Sequence, residues 1–304
     1  MPIFSKHIPR KQSIELPFIT TWTTTYDGQP ITLPLVSGYN YDFIVDWGDA
    51  SPTDHITDYN QTERQHVYST TGTYDISIAG ICEAFSINAN SSLELLINDI
   101  RQWGTVAWKT CQSMFKGCDN IKVVTATDTP NLNSCTSLNA MFHYCRDFNS
   151  NVSGWDTSNI TNMQEVFFHC DTAFNQDLSG WDTSNVTTMN QMFYFCYVFD
   201  QPLLWDTGNV TNMYRMFLQC PAFDQDISGW DVSKVTNMGE MFSSVTLSTI
   251  NYDALLIGWD AQNLQSNVDF GAGNSKYTAG AAAETARTNM ITTDNWNITD
   301  GGSV

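Results

Sequence analysis

The chain has 304 residues, 42% of them apolar, which is enough to build a core and argues against wholesale disorder. Only 15% are charged, and 13 Lys and Arg stand against 32 Asp and Glu; the net charge of −19 makes nucleic acid a poor partner. No apolar run reaches the ~18 residues of a membrane-spanning helix, so membrane insertion is not expected.

The first sixteen residues carry Lys6, His7, Arg10 and Lys11 against Glu15 alone, opposite in sign to the rest of the chain. No apolar stretch follows the basic residues, so the segment does not read as a secretory leader. We take 1–16 as an arm, with Lys6, Arg10 and Lys11 as candidate docking residues toward a larger assembly. A disordered terminus is the alternative.

Residues 17–88 hold Thr-rich alternating stretches: Ile19–Thr23, Ile31–Leu33, Tyr41–Val45 and Thr73–Ile78. Turns containing Gly, Asn and Asp separate them, and the pattern predicts a small β-sandwich. Within it, Asp46-Trp47-Gly48-Asp49 places two carboxylates around a Gly, which suits turn capping better than catalysis.

Residues 89–245 are repetitive. Met114-Phe115, Met141-Phe142, Val166-Phe167, Met192-Phe193, Met216-Phe217 and Met241-Phe242 recur at intervals of 27, 25, 26, 24 and 25 residues. Trp-Asp recurs at Trp155, Trp181, Trp205 and Trp230. Val186, Met189, Met192, Phe193 and Cys196 fall at helical spacing, and Phe174–Trp181 contains a short extended stretch. One strand and one helical segment per period predict a leucine-rich-repeat-like α/β solenoid, with Phe, Met and Cys ladders as its core. Stacked Asp156, Asp182, Asp206 and Asp231 would repel unless each accepts hydrogen bonds or shares a cation. An Asx-type turn is the preferred reading over calcium.

Cys118, Cys145, Cys170, Cys196 and Cys220 each lie three residues after the Phe of a pair; Val245 takes that place in the last repeat. A slot that accepts Cys or Val is small and apolar, so buried free thiols are expected. Cys111 and Cys135 align with Leu, Met, Ile or Val of other repeats and read as core substitutes.

Residues 246–304 are expected to cap the array, with helices over Tyr252–Trp259 and Tyr277–Met290, Thr278 as an N-cap, and strands at Val268–Phe270 and near Trp296–Ile298. The predicted fold class is therefore mainly β with short helices: an N-terminal β-sandwich, an α/β solenoid and a C-terminal α/β cap.

The repeat W-D-T-S-N-V-T-x-M-x-x-M-F-x-x-C resembles the BspA-like leucine-rich-repeat surface proteins, in the branch also known from mycoplasma lipoproteins. Residues 17–88 are similar to a PKD-type domain, through Asp46-Trp47-Gly48-Asp49 and His66-Val-Tyr-Ser-Thr-Thr-Gly-Thr-Tyr74. The resemblance implies surface display, adhesion and host or matrix binding, without catalysis. Without a leader, a particle assembled in the cytoplasm is the first expectation: a virion or phage-like component. A bacterial cell-surface adhesin is the alternative, and a glycan-active enzyme a third class.

No Walker loop, G-x-S-x-G or H-E-x-x-H motif occurs, and no catalytic residue, metal ligand or cofactor is assigned. Two positions after each Met-Phe or Val-Phe pair vary while their neighbours repeat: Lys116-Gly117, His143-Tyr144, Phe168-His169, Tyr194-Phe195, Leu218-Gln219 and Ser243-Ser244. Variable positions on a constant scaffold suit a contact surface, so His143, Tyr144, Phe168, His169, Tyr194 and Phe195 are the candidate binding residues. They would stack on sugars or bury against a partner; packing within the array is the bland alternative. The expected partners are a protein assembly or a host-surface protein or glycan, with self-association open.

Overall fold

The computed structural model describes residues 15–88 and 93–304. The candidate docking residues Lys6, Arg10 and Lys11 lie outside the described residues.

The N-terminal part is antiparallel. Strands β1 (Phe18–Thr23), β3 (Tyr41–Asp46), β4 (Asp54–Ile56), β6 (Thr73–Cys82) and β7 (Ile97–Gln102) form one sheet in the order β4-β3-β6-β1-β7. Strands β2 (Gln29–Thr32) and β5 (Gln65–Tyr68) pair separately. Alternation drives β3: Tyr41, Phe43 and Val45 are buried while Asp42, Ile44 and Asp46 face out. The Asp46–Asp49 turn is structural. Asp46 Oδ1 accepts the Gly48 N–H at 2.9 Å, and Asp49 Oδ2 lies 2.7 Å from His66 Nε2. The His66 ring stacks on Trp47 at 5.0 Å. Gly48 has φ +78°, and a Cβ there would meet the Asp75 carbonyl at 2.5 Å.

The repeats overturn the predicted fold class. Between β7 and helix α1 (Thr249–Asp260) there is neither a strand nor a helix, only turns linked by single parallel bridges. The chain is mainly β with few short helices, and the α/β solenoid of strand plus helix is not what it forms. The reason lies in the backbone. Ala140, Glu165, Gln191, Arg215 and Glu240, each just before a pair, have φ of 54–57°. Tyr144, His169, Phe195, Gln219 and Ser244, each two residues after the pair, have φ of 58–64°. A left-handed residue every fourth position resets the chain before a helix can propagate.

Each repeat then binds the next by alternate N–H groups. Met189, Gln191, Phe193 and Phe195 donate to the carbonyls of Asn212, Tyr214, Met216 and Leu218 at 2.9–3.0 Å. The intervening Met192, Tyr194 and Cys196 N–H groups close i→i−3 turns on Met189, Gln191 and Phe193. The same set recurs in the neighbouring repeats, so the backbone is satisfied without regular secondary structure.

Identical side chains consequently stack. The Phe column 115–142–167–193–217–242 has ring centres 5.4–6.2 Å apart. A second column, Phe148, Phe174, Phe199 and Phe223, packs against it at 3.9–4.1 Å. The Trp181, Trp205 and Trp230 indoles each donate to a carbonyl of the preceding repeat, as from Trp205 to Leu178 at 3.0 Å. The stretch expected to be extended, Phe174–Trp181, forms no strand and turns only at Ser179-Gly180, yet Leu178, Leu203 and Ile227 are buried and Leu204 is 80% exposed. All eight cysteines are free and buried. Burial pushes the Cys118, Cys145 and Cys170 thiols up, which makes them poor nucleophiles. The Asp ladder caps turns: Asp156 and Asp182 each accept from the backbone N–H and hydroxyl of the Ser two residues on. Those side-chain hydrogen bonds hold both carboxyls below their ordinary range.

At the C-terminal end β8 (Asp269–Gly271) docks on the last repeat and pairs in parallel with β9 (Asn297–Thr299). Helix α1 begins at Ser248, whose side chain accepts the Asn251 N–H. Helix α2 (Ala282–Thr292) starts at Ala281, not at Thr278. Thr278 instead donates its N–H and hydroxyl to Asp253 at 2.9 and 2.6 Å. Among the described residues no helix is long and apolar enough to cross a membrane.

Phe193→Ala should cost about 3–5 kcal/mol, because it removes a ring from the middle of a close-packed column. Gln191→Val, a branched residue held at φ 56°, should be about 1–2 kcal/mol less stable than Gln191→Gly. Urea denaturation of the three variants checks both.

Candidate recognition face

The positions after each pair stand just outside the buried Phe column. Turn geometry places the first of them inward and the second, left-handed residue outward. His143 is 7% exposed, whereas Tyr144 is 37% exposed. Phe168, His169, Tyr194 and Phe195 are partly buried.

Two columns result. His143, Phe168 and Tyr194 stack at 4.3 and 4.6 Å with interplanar angles of 3° and 6°. Tyr144, His169 and Phe195 stack at 4.6 and 4.3 Å with angles of 16° and 23°. Edge contacts tie the columns together, as between Tyr194 and Phe195 at 4.5 Å. The structure therefore brings all six candidate residues into one patch. They pack on one another and keep an exposed margin, so the contact and packing readings both describe part of the geometry.

The rim is charged. Arg146 Cζ lies 6.0 Å from the Tyr144 ring centre and pairs with Asp119. His169 Nδ1 is 2.9 Å from Asp171. His143 Nε2 is 3.4 Å from Glu165, while its Nδ1 is buried without a hydrogen-bond partner among the described residues. Burial lowers His143 to about 4, helped by the positive charge of Lys116 and by His169. Burial also lowers His169, against the pull of Asp171. Both imidazoles are thus neutral near pH 7 and behave as flat aromatic members of the columns.

Sequence reasoning missed Tyr197, whose ring packs 5.8 Å from Phe195 and is 40% exposed. It follows the Cys, outside the pair of positions that drew attention. It also missed the ladder Gln164, Asn190, Tyr214, Gly239, which varies in the same way beside the first Met of each repeat. Among the described residues no group of three or more His, Cys, Asp or Glu is placed to hold a metal ion.

A family model described as "Mycoplasma protein of unknown function, DUF285" matches residues 109–204 and 203–277. The two matches cover more than half of the chain, and the chain belongs to this family, which is part of the BspA-like surface proteins. The matched region spans all six pairs and continues past 245 into the C-terminal part. Residues 17–88, likened above to a PKD-type domain, lie outside it. No curated protein and no solved structure matches the chain.

The buried imidazole has a consequence in pH. The unfolded His143 takes up a proton near 6.5, the folded one only near 4. Between these values the unfolded chain binds more protons, so the His143 contribution to stability falls as pH drops from 6.5 to 4, and below that the loss passes to depressed carboxyls such as Asp156 and Asp182. Thermal midpoints measured by calorimetry should follow that slope. His143→Phe, which keeps a ring on Phe168, should flatten it in part, with His169 supplying the remainder.

Proposed function

We propose that this chain is a non-catalytic recognition protein displayed at a surface, with the stacked aromatic patch as its contact region. The observation that carries the reading is the pair of half-exposed aromatic columns built from variable residues on an invariant backbone. Membership of a surface-protein family supports display on a cell surface or outside the cell. A virion or phage-like particle is the narrower setting we propose to test beside the bacterial envelope.

The geometry also favours a class of partner for this patch. Stacking at 4.3–4.6 Å occupies the ring faces. What is left outward is ring edge and tyrosine hydroxyl, since His143 is buried and His169 Nδ1 is held by Asp171. Sugar stacking needs a free ring face, whereas a protein surface packs well against edges and polar tips. Arg146 and the tyrosines are residue types that dominate protein contacts. We therefore take a protein on the host or assembly as the partner of this patch.

Two measurements test this. Mass spectrometry of fractionated source material, with particles separated from envelopes, should find the chain in one of these two fractions; recovery only from the cytosol would refute surface display. Purified chain should be retained on host-cell or matrix surfaces, and protease treatment of those surfaces should abolish retention. Tyr144→Ser with Phe195→Ser should weaken retention about tenfold or more, about 1.4 kcal/mol, at a nearly unchanged thermal midpoint. Full retention by the double variant would show that the patch is only packing.

A further inference from the structure

Beyond the aromatic patch, the same ladders break at one place. The position that holds Gln164, Asn190 and Tyr214 becomes Gly239, and the pair that holds Tyr194-Phe195 passes through Leu218-Gln219 to Ser243-Ser244. Both reductions are complete in the last repeat. Strand β8, which lies against that repeat, does not refill the space. It approaches as backbone: a Cβ on Gly271 would meet the Glu240 nitrogen at 2.6 Å, and one on Gly273 would overlap the Phe242 carbonyl. The gap is a groove of about 580 Å³ between the last repeat and β8–β9, within the usual range of small-molecule sites of about 300–1,000 Å³.

Its lining has a definite chemistry. The Tyr214 ring forms one wall and reaches over Gly239, where a Cβ would stand 3.3 Å from it. Ser243, Ser244, Asn274, Asn297 and Thr299 supply hydroxyls and amides. Two carboxylates border the groove, and both are engaged. Glu240 pairs with Arg215 at 2.9 Å, and Asp269 accepts from Asn297 Nδ2 at 2.9 Å. Arg215 compensates the charge of Glu240, and a single further carboxylate, Asp269, makes the groove a poor trap for a cation. Together with the net charge of −19 the two carboxylates still disfavour an anion. Carboxylate oxygens with a spare lone pair accept from hydroxyls, and amides both donate and accept; the Arg215 guanidinium lies over one face of the Tyr214 ring, 4.7 Å from its centre, which leaves the other face and the ring edge to pack on C–H groups.

We propose that this groove binds a neutral saccharide of one or two rings, packed on Tyr214 and hydrogen-bonded by the hydroxyl and amide side chains of the last repeat and β8–β9. The site is separate from the aromatic patch and does not depend on the function proposed for it.

The test is saturation-transfer difference NMR on the full chain with lactose, maltose and N,N′-diacetylchitobiose, and galacturonate as an anionic control. Saturation should pass to at least one neutral disaccharide and not to galacturonate. Ser243→Tyr with Ser244→Phe places the Tyr194-Phe195 pair in the last repeat, where Ser244 already has the φ that Phe195 tolerates; it should reduce transfer at least tenfold. Thr299→Trp fills the groove from its other wall, at an exposed position, and should do the same if the first variant fails to fold. Tyr144→Ser with Phe195→Ser should leave transfer unchanged. Absence of transfer to every neutral disaccharide would overturn the proposal. So would equal transfer to galacturonate, full transfer to a folded groove variant, or loss in the Tyr144/Phe195 variant, which would move the sugar to the aromatic patch.

Discussion

Everything in the repeat region depends on a one-way hydrogen bond made at every second residue. Residues such as Met189, Gln191, Phe193 and Phe195 give their N–H groups to the following repeat, while the residues between them bond within their own turn. This division satisfies the backbone only if the chain turns back every fourth residue, hence the left-handed conformations at Gln191 and Phe195 and their equivalents. Those conformations cost energy in residues with a Cβ. The cost is offset by the two buried Phe columns and the Trp rings beside them, closed around Met and Cys, with the inner Phe rings stacked on Phe above and below. The thiols belong to this arrangement: Cys170 and Cys196 lean on the Phe142 and Phe167 carbonyls of the preceding repeats.

This explains which parts of the structure were legible in the sequence. Apolar residues at i, i+3, i+4 and i+7 announced a buried face, and Met189, Met192, Phe193 and Cys196 do form one. The spacing is equally that of a helix and of successive four-residue turns, so it could not tell them apart. The deciding residues are Ala140, Glu165, Gln191, Arg215 and Glu240, and none is the Gly or Asn that would have signalled a left-handed position. Local chemistry read more reliably. The Asp-x-Ser turns and the small apolar Cys slots need only neighbours in the same or adjacent repeat. Thr278 failed as an N-cap because its partner, Asp253, is 25 residues away in α1, which no local pattern reveals.

The candidate site was legible in outline for a related reason. Conspicuous variation at 143–144, 168–169 and 194–195 against fixed neighbours located the patch, but not its geometry. The backbone register that aligns the buried Phe column also aligns these outer side chains. They stack with ring centres 4.3–4.6 Å apart, nearer than the 5.4–6.2 Å of the buried column. Neutral imidazoles fit such a column; charged ones would have to be desolvated in it.

The same register decides what each part of this face can meet. Where large residues occupy consecutive repeats, ring faces are used up by one another. The surface is then rigid, edge-lined and suited to a broad partner. Where the series falls to Gly239, Ser243 and Ser244, the column ends and Tyr214 has no side chain beyond it in the ladder. Backbone then approaches where a side chain would have stood, and a polar groove opens beside a ring. Two kinds of surface, an edge-lined aromatic patch and a polar groove, thus follow from one repeating scaffold, set by whether the next residue in the ladder is large or small. Because the ladder that joins the repeats is made by backbone N–H and carbonyl groups, with side-chain bonds such as Gln219 Nε2 to Ser244 Oγ only added to it, substitution at these positions changes the surface and leaves the backbone ladder in place.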